Sequence, residues 1–124
     1  MDKLERIFDM QRALNEDIVR RRGLENVTYE EWMQKYALAA IAEISEMLDE
    51  VNYKWWKNKK EIDHAAVKEE LVDVLHFFVS MCLKAGLTAD ELFNVYNAKN
   101  KENFDRQNGL SAKKGYEAGE TSAS

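Results

Sequence analysis

The chain has no proline and only five glycines in 124 residues, so little in it would interrupt a helix. One cysteine and two histidines argue against a zinc site, which draws on Cys and His ligands. The lone Cys82, on an apolar helical face, reads as a reduced core residue. A net charge of −5 argues against a general nucleic-acid binder, and no stable nucleic-acid partner is expected, although a local basic patch could still contact phosphates. No apolar run reaches the roughly 18 residues needed to span a bilayer, and the opening MDKLERIF lacks the hydrophobic block of a signal peptide. A cytoplasmic protein without a membrane segment is expected. P-loop, GxGxxG, HExxH and GxSxG strings are absent, so any phosphate chemistry would have to run through metals rather than a glycine cradle.

What is present is helical patterning. A first helix is expected from about Lys3 to Arg22, with Leu4, Ile7, Phe8, Leu14 and Ile18 inward and Gly23 at its end. Thr28 and Glu31 read as a capping box opening a second helix that continues to about Lys57. Asp63 caps a third, ending near Gly86, and Thr88 with Glu91 opens a fourth that runs to about Gln107, with Leu87 and Leu92 as its hydrophobic staple. From Asn108 onward there is little to bury, and this end is expected to be mobile. No strand pattern or repeat array is visible. The expectation is an all-α, antiparallel four-helix bundle, one domain over 1–116 followed by a flexible tail over 117–124. At 124 residues the chain can form a core, but pairing with another copy would help it.

Two acidic pairs recur at the same phase on neighbouring helices: Glu43 with Glu46 in EISEM, and Glu70 with Asp73 in ELVDV. On the second helix Met33, Ala37, Ala40, Ile44, Met47, Leu48 and Val51 form one apolar stripe, with the glutamates on its flank. On the third, Val67, Leu71, Val74, Leu75, Phe78 and Cys82 do the same beside Glu70 and Asp73. A single such pair is ordinarily a solvated edge. The third helix, however, is apolar on most sides, which marks it as buried or as a subunit interface, and carboxylates there should be paired or metal-bound. All-oxygen ligands favour a hard cation, Mg²⁺ or Mn²⁺.

Other polar groups fall into three sets. Trp55 and Trp56 stand among Lys54, Lys57, Lys59 and Lys60, and two adjacent tryptophans cannot both face one core, which leaves one to stack on a base or fill a subunit contact. On the fourth helix Tyr96, Asn100, Asn103 and Gln107 share one line, and Lys99, Asn103 and Arg106 an adjacent one, a face suited to sugar hydroxyls and phosphate oxygens or simply to water. Gln11 and Asn15 face inward on the first helix, where they either border the core or read the edge of a base. His64 and His76 lie off the acidic stripes and read as structural.

Taken together, ExxE at Glu43 and Glu46, ExxD at Glu70 and Asp73, EVNYKWWKNKK, EELVDVLHFF, NAKNKENFDRQ, and Lys114, Gly115 and Tyr116 resemble the MazG-like, all-α nucleoside triphosphate pyrophosphatases, and within them the dimeric-type dUTPases. The resemblance runs from about Leu4 to Tyr116. It implies a cytoplasmic homo-oligomer that hydrolyses dUTP to dUMP and diphosphate, with Glu43, Glu46, Glu70 and Asp73 holding two or three Mg²⁺ ions and Glu46 orienting or deprotonating the attacking water. It also implies that Trp56 or Trp55 lines the uracil pocket, that Gln11 and Asn15 contact the base, that Lys57, Lys99, Asn103, Arg106 and Lys114 engage sugar and phosphates, and that Asn100 and Tyr116 belong to the same wall and closing loop. The longer dimeric-type enzymes carry extra helical sequence between the third and fourth helices, where Leu83 to Thr88 here permits only a tight turn. Dimer and dimer of dimers therefore both stay open, as does a MazG-like house-cleaning activity on dCTP, modified or general NTPs. The non-enzymatic alternative is a helical oligomerisation module whose acidic stripe binds a basic partner.

Overall fold

The computed structural model describes residues 1–118; residues 119–124, most of the expected tail, lie outside the described residues. Four helices make up the regular structure, α1 (Lys3–Arg22), α2 (Tyr29–Glu50), α3 (His64–Lys84) and α4 (Ala89–Gln107), and no strand occurs among the described residues. The protein is all-α, consistent with the helical bundle expected. None of the four helices alone is long and apolar enough to cross a membrane.

Local chemistry sets the helix ends. The Asp2 carboxylate accepts from the Glu5 N–H at 2.8 Å, and three arginines occupy the last turn of α1, where the macrodipole favours cations. Gly23 closes that helix in the left-handed region, φ 64°, with its N–H bonded to the Val19 carbonyl. Thr28 Oγ1 accepts from Glu31 N–H at 3.2 Å to start α2, and Asp63 Oδ1 from Ala66 N–H at 3.1 Å to start α3.

The end of α2 differs from expectation. The helix stops at Glu50 rather than near Lys57, because Asn52 takes a left-handed φ of 58° that asparagine tolerates better than most residues. Its side chain then grips Lys60 twice, donating to the carbonyl at 2.9 Å and accepting from the N–H at 3.0 Å. That pair of hydrogen bonds holds the Lys-rich segment against the helix end as a connection rather than an extra helical turn.

The chain divides into two compact units, Met1–Thr88 and the part from Ala89 onward. Within the first, α3 packs against both α2 and α1. Gln11 meets His76 and Asn15 meets Ser80, so α1 and α3 run in the same direction; Tyr36 shares a cavity wall with Ser80 while Glu46 meets Glu70, so α2 runs against them. The buried side chains of this unit are Phe8, Gln11, Trp32, Tyr36, Ala40, Val79, Ser80 and Cys82. Cys82 is a free thiol, and burial pushes its pKa up, in keeping with an inert core residue.

The inward faces therefore need a correction. Ile44 and Leu71, the centres of the two expected stripes, are 41% and 52% exposed, and Leu38, Ile41, Val72 and Leu75 are exposed with them. The core line of α2 passes instead through Trp32, Tyr36 and Ala40. On a helix apolar on more than one side, periodicity alone does not say which side the chain covers itself.

In the second unit, α4 continues into a turn at Gly109, φ 74°, and the following segment folds back to bury Ser111. Ser111 Oγ donates to Glu102, whose carboxylate is held below its ordinary pKa by that bond and by Arg106.

Candidate functional site

The carboxylates come together in the first unit. Oxygens of Glu43, Glu46 and Glu70 all lie within 4.8 Å of one another. Each helix contributes at i and i+3 or from the facing line, so the meeting follows directly from the antiparallel register of α2 and α3. Glu43 and Glu70 are half-buried and Glu46 is exposed. One oxygen of each half-buried glutamate, Glu43 Oε2 and Glu70 Oε2, is shut off from solvent with no hydrogen-bond partner. The Glu70 pKa is pushed up to about 7, first by its hydrogen bond with Glu43, then by burial, then by the nearby charges of Glu46 and Glu43. Asp73, one turn further along α3, stands outside this triplet but borders the same cavity as Glu43.

That cavity has a volume of about 530 Å³. Its acidic end is formed by Glu43 and Asp73, and its other walls include Gln11, Asn15, Trp32, Lys35, Tyr36, His76 and Ser80. Trp32 and Tyr36 stack at a centroid distance of 5.0 Å and an interplanar angle of 20°. The Lys84 ammonium lies 5.5 Å from the Trp32 ring centre on that side. The polar wall is continuous: Gln11 Nε2 donates to Asn15 Oδ1 at 2.9 Å, Asn15 Nδ2 to Ser80 Oγ at 3.1 Å, Ser80 Oγ to the His76 carbonyl at 2.7 Å, and His76 Nδ1 bonds Gln11 Oε1. Such a space is a pocket with one hard-anion end and one amide-lined, aromatic end, a shape suited to a nucleotide.

Gln11 and Asn15 thus sit in the cavity, as do Glu43 and Asp73, with Glu46 and Glu70 beside them. Trp55 and Trp56 do not. They are 86% and 61% exposed, meet edge to face at 4.6 Å, and lie outside the walls of this cavity; within one chain the aromatic wall comes from Trp32 and Tyr36 instead. Lys57 lies in a separate recess of about 230 Å³ with Asp49, Asn52, Tyr53, Lys54, Asn58 and Lys60. Lys99, Asn100, Asn103, Arg106, Lys114 and Tyr116 belong to the second unit. There Arg106 donates to Glu102 at 3.2 Å and to Asn103 at 3.4 Å, and its guanidinium stands 5.2 Å from the Tyr116 ring, so three of those six residues form one cluster. Lys99, Asn100 and Lys114 are exposed.

Sequence reasoning missed His76, Ser80, Trp32 and Tyr36. A signal existed. Trp32, Tyr36, Ala39 and Glu43 follow one helical line at i+3 and i+4 spacing, as do Glu70, Asp73, Phe77 and Ser80, and Ser80 is a lone hydroxyl in the apolar string HFFVSMCL.

A model of the dUTPase family matches residues 3–88, which is most of the chain and nearly the whole of the first unit. The chain belongs to this family. Among curated relatives, it is 34% identical over 82 residues to a dCTP pyrophosphatase of Enterobacteria phage T4, covering 66% of this chain and 41% of the phage protein. It is 44% identical over 45 residues to a dCTP pyrophosphatase of Enterobacteria phage LZ5, covering 36% of this chain and 26% of that protein. A DNA replication protein of phage T4 is 32% identical over 76 residues, 61% of this chain and 16% of the phage protein. The chain therefore spans less than half the length of the curated relatives it matches. No solved structure matches it.

Proposed function

We propose that this chain is a divalent-cation-dependent nucleoside triphosphate pyrophosphohydrolase, acting on a pyrimidine deoxynucleotide and on dUTP by preference: dUTP and water give dUMP and diphosphate. The observation that carries the reading is the convergence of Glu43, Glu46 and Glu70 with two buried, unpartnered oxygens, beside a nucleotide-sized cavity that Glu43 itself lines. Three carboxylates this close repel one another, and orphaned buried acceptors are costly, so the cluster is built for cations. An all-oxygen donor set fits Mg²⁺, with Mn²⁺ as an alternative.

In this reading Glu43, Glu46, Glu70 and Asp73 hold Mg²⁺. When bound, the metal polarises phosphoryl oxygens and neutralises charge on the diphosphate leaving group. Glu46, the exposed member of the cluster, orients the attacking water and accepts its proton. The amides of Gln11 and Asn15 meet the edge of the base, Trp32 and Tyr36 supply its apolar wall, and Lys35 places a cation on the cavity rim. Leu38, Ile41 and Ile44 on α2 and Leu71, Val72 and Leu75 on α3 are exposed apolar side chains that suit contact with a second copy of the chain, in a cytoplasmic homodimer or dimer of dimers.

A second substrate reading has its own support, because two of the relatives are described as dCTP pyrophosphatases. Diphosphate release from dUTP, dCTP, dTTP and UTP, each with Mg²⁺ and with excess chelator, separates the two. A dUTP maximum is expected; a dCTP maximum moves the protein to the second reading, a flat profile to a general house-cleaning role, and no release from any of them overturns the proposal.

A further inference from the structure

Gln11, Asn15, Ser80 and His76 of the cavity wall close a ring through the His76 backbone carbonyl, and the ring has a direction. A carbonyl oxygen can only accept, so His76 must donate from Nδ1 to Gln11 Oε1. Gln11 then donates to Asn15, Asn15 to Ser80, and the Ser80 hydroxyl spends its single proton on the His76 carbonyl. Every member donates forward. Gln11 and Ser80 are 6% and 1% exposed, so water does not easily substitute for a missing partner.

Running the ring backwards would take four coordinated changes. His76 would need the other tautomer, with Nδ1 accepting; both amides would have to flip; and the Ser80 proton would have to leave the His76 carbonyl for Asn15 Oδ1. The ring thus locks which end of each amide is nitrogen and which is oxygen. That is the feature a pyrimidine pocket most needs to control. Uracil presents a donor at N3 and an acceptor at O4, whereas cytosine presents an acceptor at N3 and a donor at its 4-amino group, so an amide that complements one base must turn over to complement the other.

We propose that His76 and Ser80 are specificity-determining positioning residues: through this one-way ring they fix the orientation of the Gln11 and Asn15 amides and thereby set the choice between 4-oxo and 4-amino pyrimidine nucleotides. The inference rests on the pyrimidine nucleotide reading above. It gives a role to a histidine whose place off the acidic stripes had marked it as structural, and it concerns discrimination rather than the chemical step.

The test compares wild type with Ser80→Ala and His76→Leu. kcat/KM is measured for dUTP and dCTP in Mg²⁺, with melting temperature as the folding control. Each variant should lower the ratio between the preferred and the disfavoured base by about tenfold or more, chiefly by raising turnover of the disfavoured one. Variants that slow both substrates by the same factor, leaving the ratio within about twofold, overturn the proposal. Nitrogen chemical shifts of the His76 ring in the wild type provide a readout that does not depend on the variants folding: a protonated Nδ1 is required, and a bare, accepting Nδ1 overturns the ring direction. Failure of the underlying reading looks different, since wild type would then release diphosphate from neither pyrimidine triphosphate.

Discussion

Glu43 and Glu70 approach each other across α2 and α3, yet each keeps one oxygen buried and without a hydrogen-bond partner. Two carboxylates in that relation are stable only when a proton or a cation stands between them. The Glu70 pKa is raised to about 7, first by its hydrogen bond with Glu43, so a proton is held there more readily than on a free glutamate. On the function proposed above, a divalent cation would take that place.

Adding Mg²⁺ to the nucleotide-free protein at pH 8 should raise its melting temperature, because a ligand bound only by the folded state stabilises it by mass action. At about 100 times the dissociation constant the gain is about 2.7 kcal/mol. The double variant Glu43→Gln, Glu70→Gln should melt at least as high as metal-free wild type, since like charge has been removed, and should show no Mg²⁺ shift. A variant that responds to Mg²⁺ as wild type does would place the cation elsewhere.

Proton linkage gives a signed pH dependence. Glu70 in the folded protein holds its proton up to about pH 7, against an ordinary value of 4.5, so between those values the folded state binds more protons than the unfolded state. Metal-free stability from this group is complete below pH 4.5 and declines as pH rises towards 7, then levels off. Denaturant melts across that range should show the decline in wild type and its loss in Glu70→Gln. Mg²⁺ binding near pH 7 should release protons, measurable as a buffer-dependent heat, and should weaken as pH falls.

The tryptophans should separate cleanly. Trp32 is 9% exposed and stacks on Tyr36, so Trp32→Ala is expected to cost about 3–5 kcal/mol by denaturant unfolding. Trp55 is 86% exposed, and Trp55→Ala should change the stability of the single chain by no more than about 0.5 kcal/mol. A large loss at Trp55 with none at Trp32 would reverse the assignment of the aromatic wall.

Self-association should depend on the exposed apolar side chains of α2 and α3. Ile41→Asp together with Leu71→Asp places charge on two residues that are 58% and 52% exposed, so the fold itself should tolerate them. Light scattering after size exclusion should find an oligomer for wild type and a monomer for the variant; an unchanged mass would show that copies meet through another surface.

Much of this arrangement is legible in the amino-acid order. Asp63 and Thr28 announce helix starts and Gly23 a helix end, because capping chemistry is local. The meeting of Glu43, Glu46 and Glu70 and the inward placing of the amides Gln11 and Asn15 are legible from spacing, while Asp73 stands apart from that triplet. Pairing across helices is not, because it depends on register between segments distant in sequence: His76 gains its meaning only opposite Gln11, 65 positions away. The same limit explains Ile44 and Leu71, whose stripes are apolar enough for a core but face outward in the single chain. The early stop of α2 was readable in principle from Asn52, a residue that accepts left-handed backbone, but the apolar period runs past it and masks the signal.

The most direct test of the carboxylate cluster as a cation-dependent phosphate site is diphosphate release from dUTP as Mg²⁺ is titrated, in wild type and in Glu70→Gln. Release should appear with Mg²⁺, vanish with chelator, and fall by about two to three orders of magnitude in the variant while its melting temperature is kept. Equal release in the folded variant, or release that ignores chelator, would contradict it.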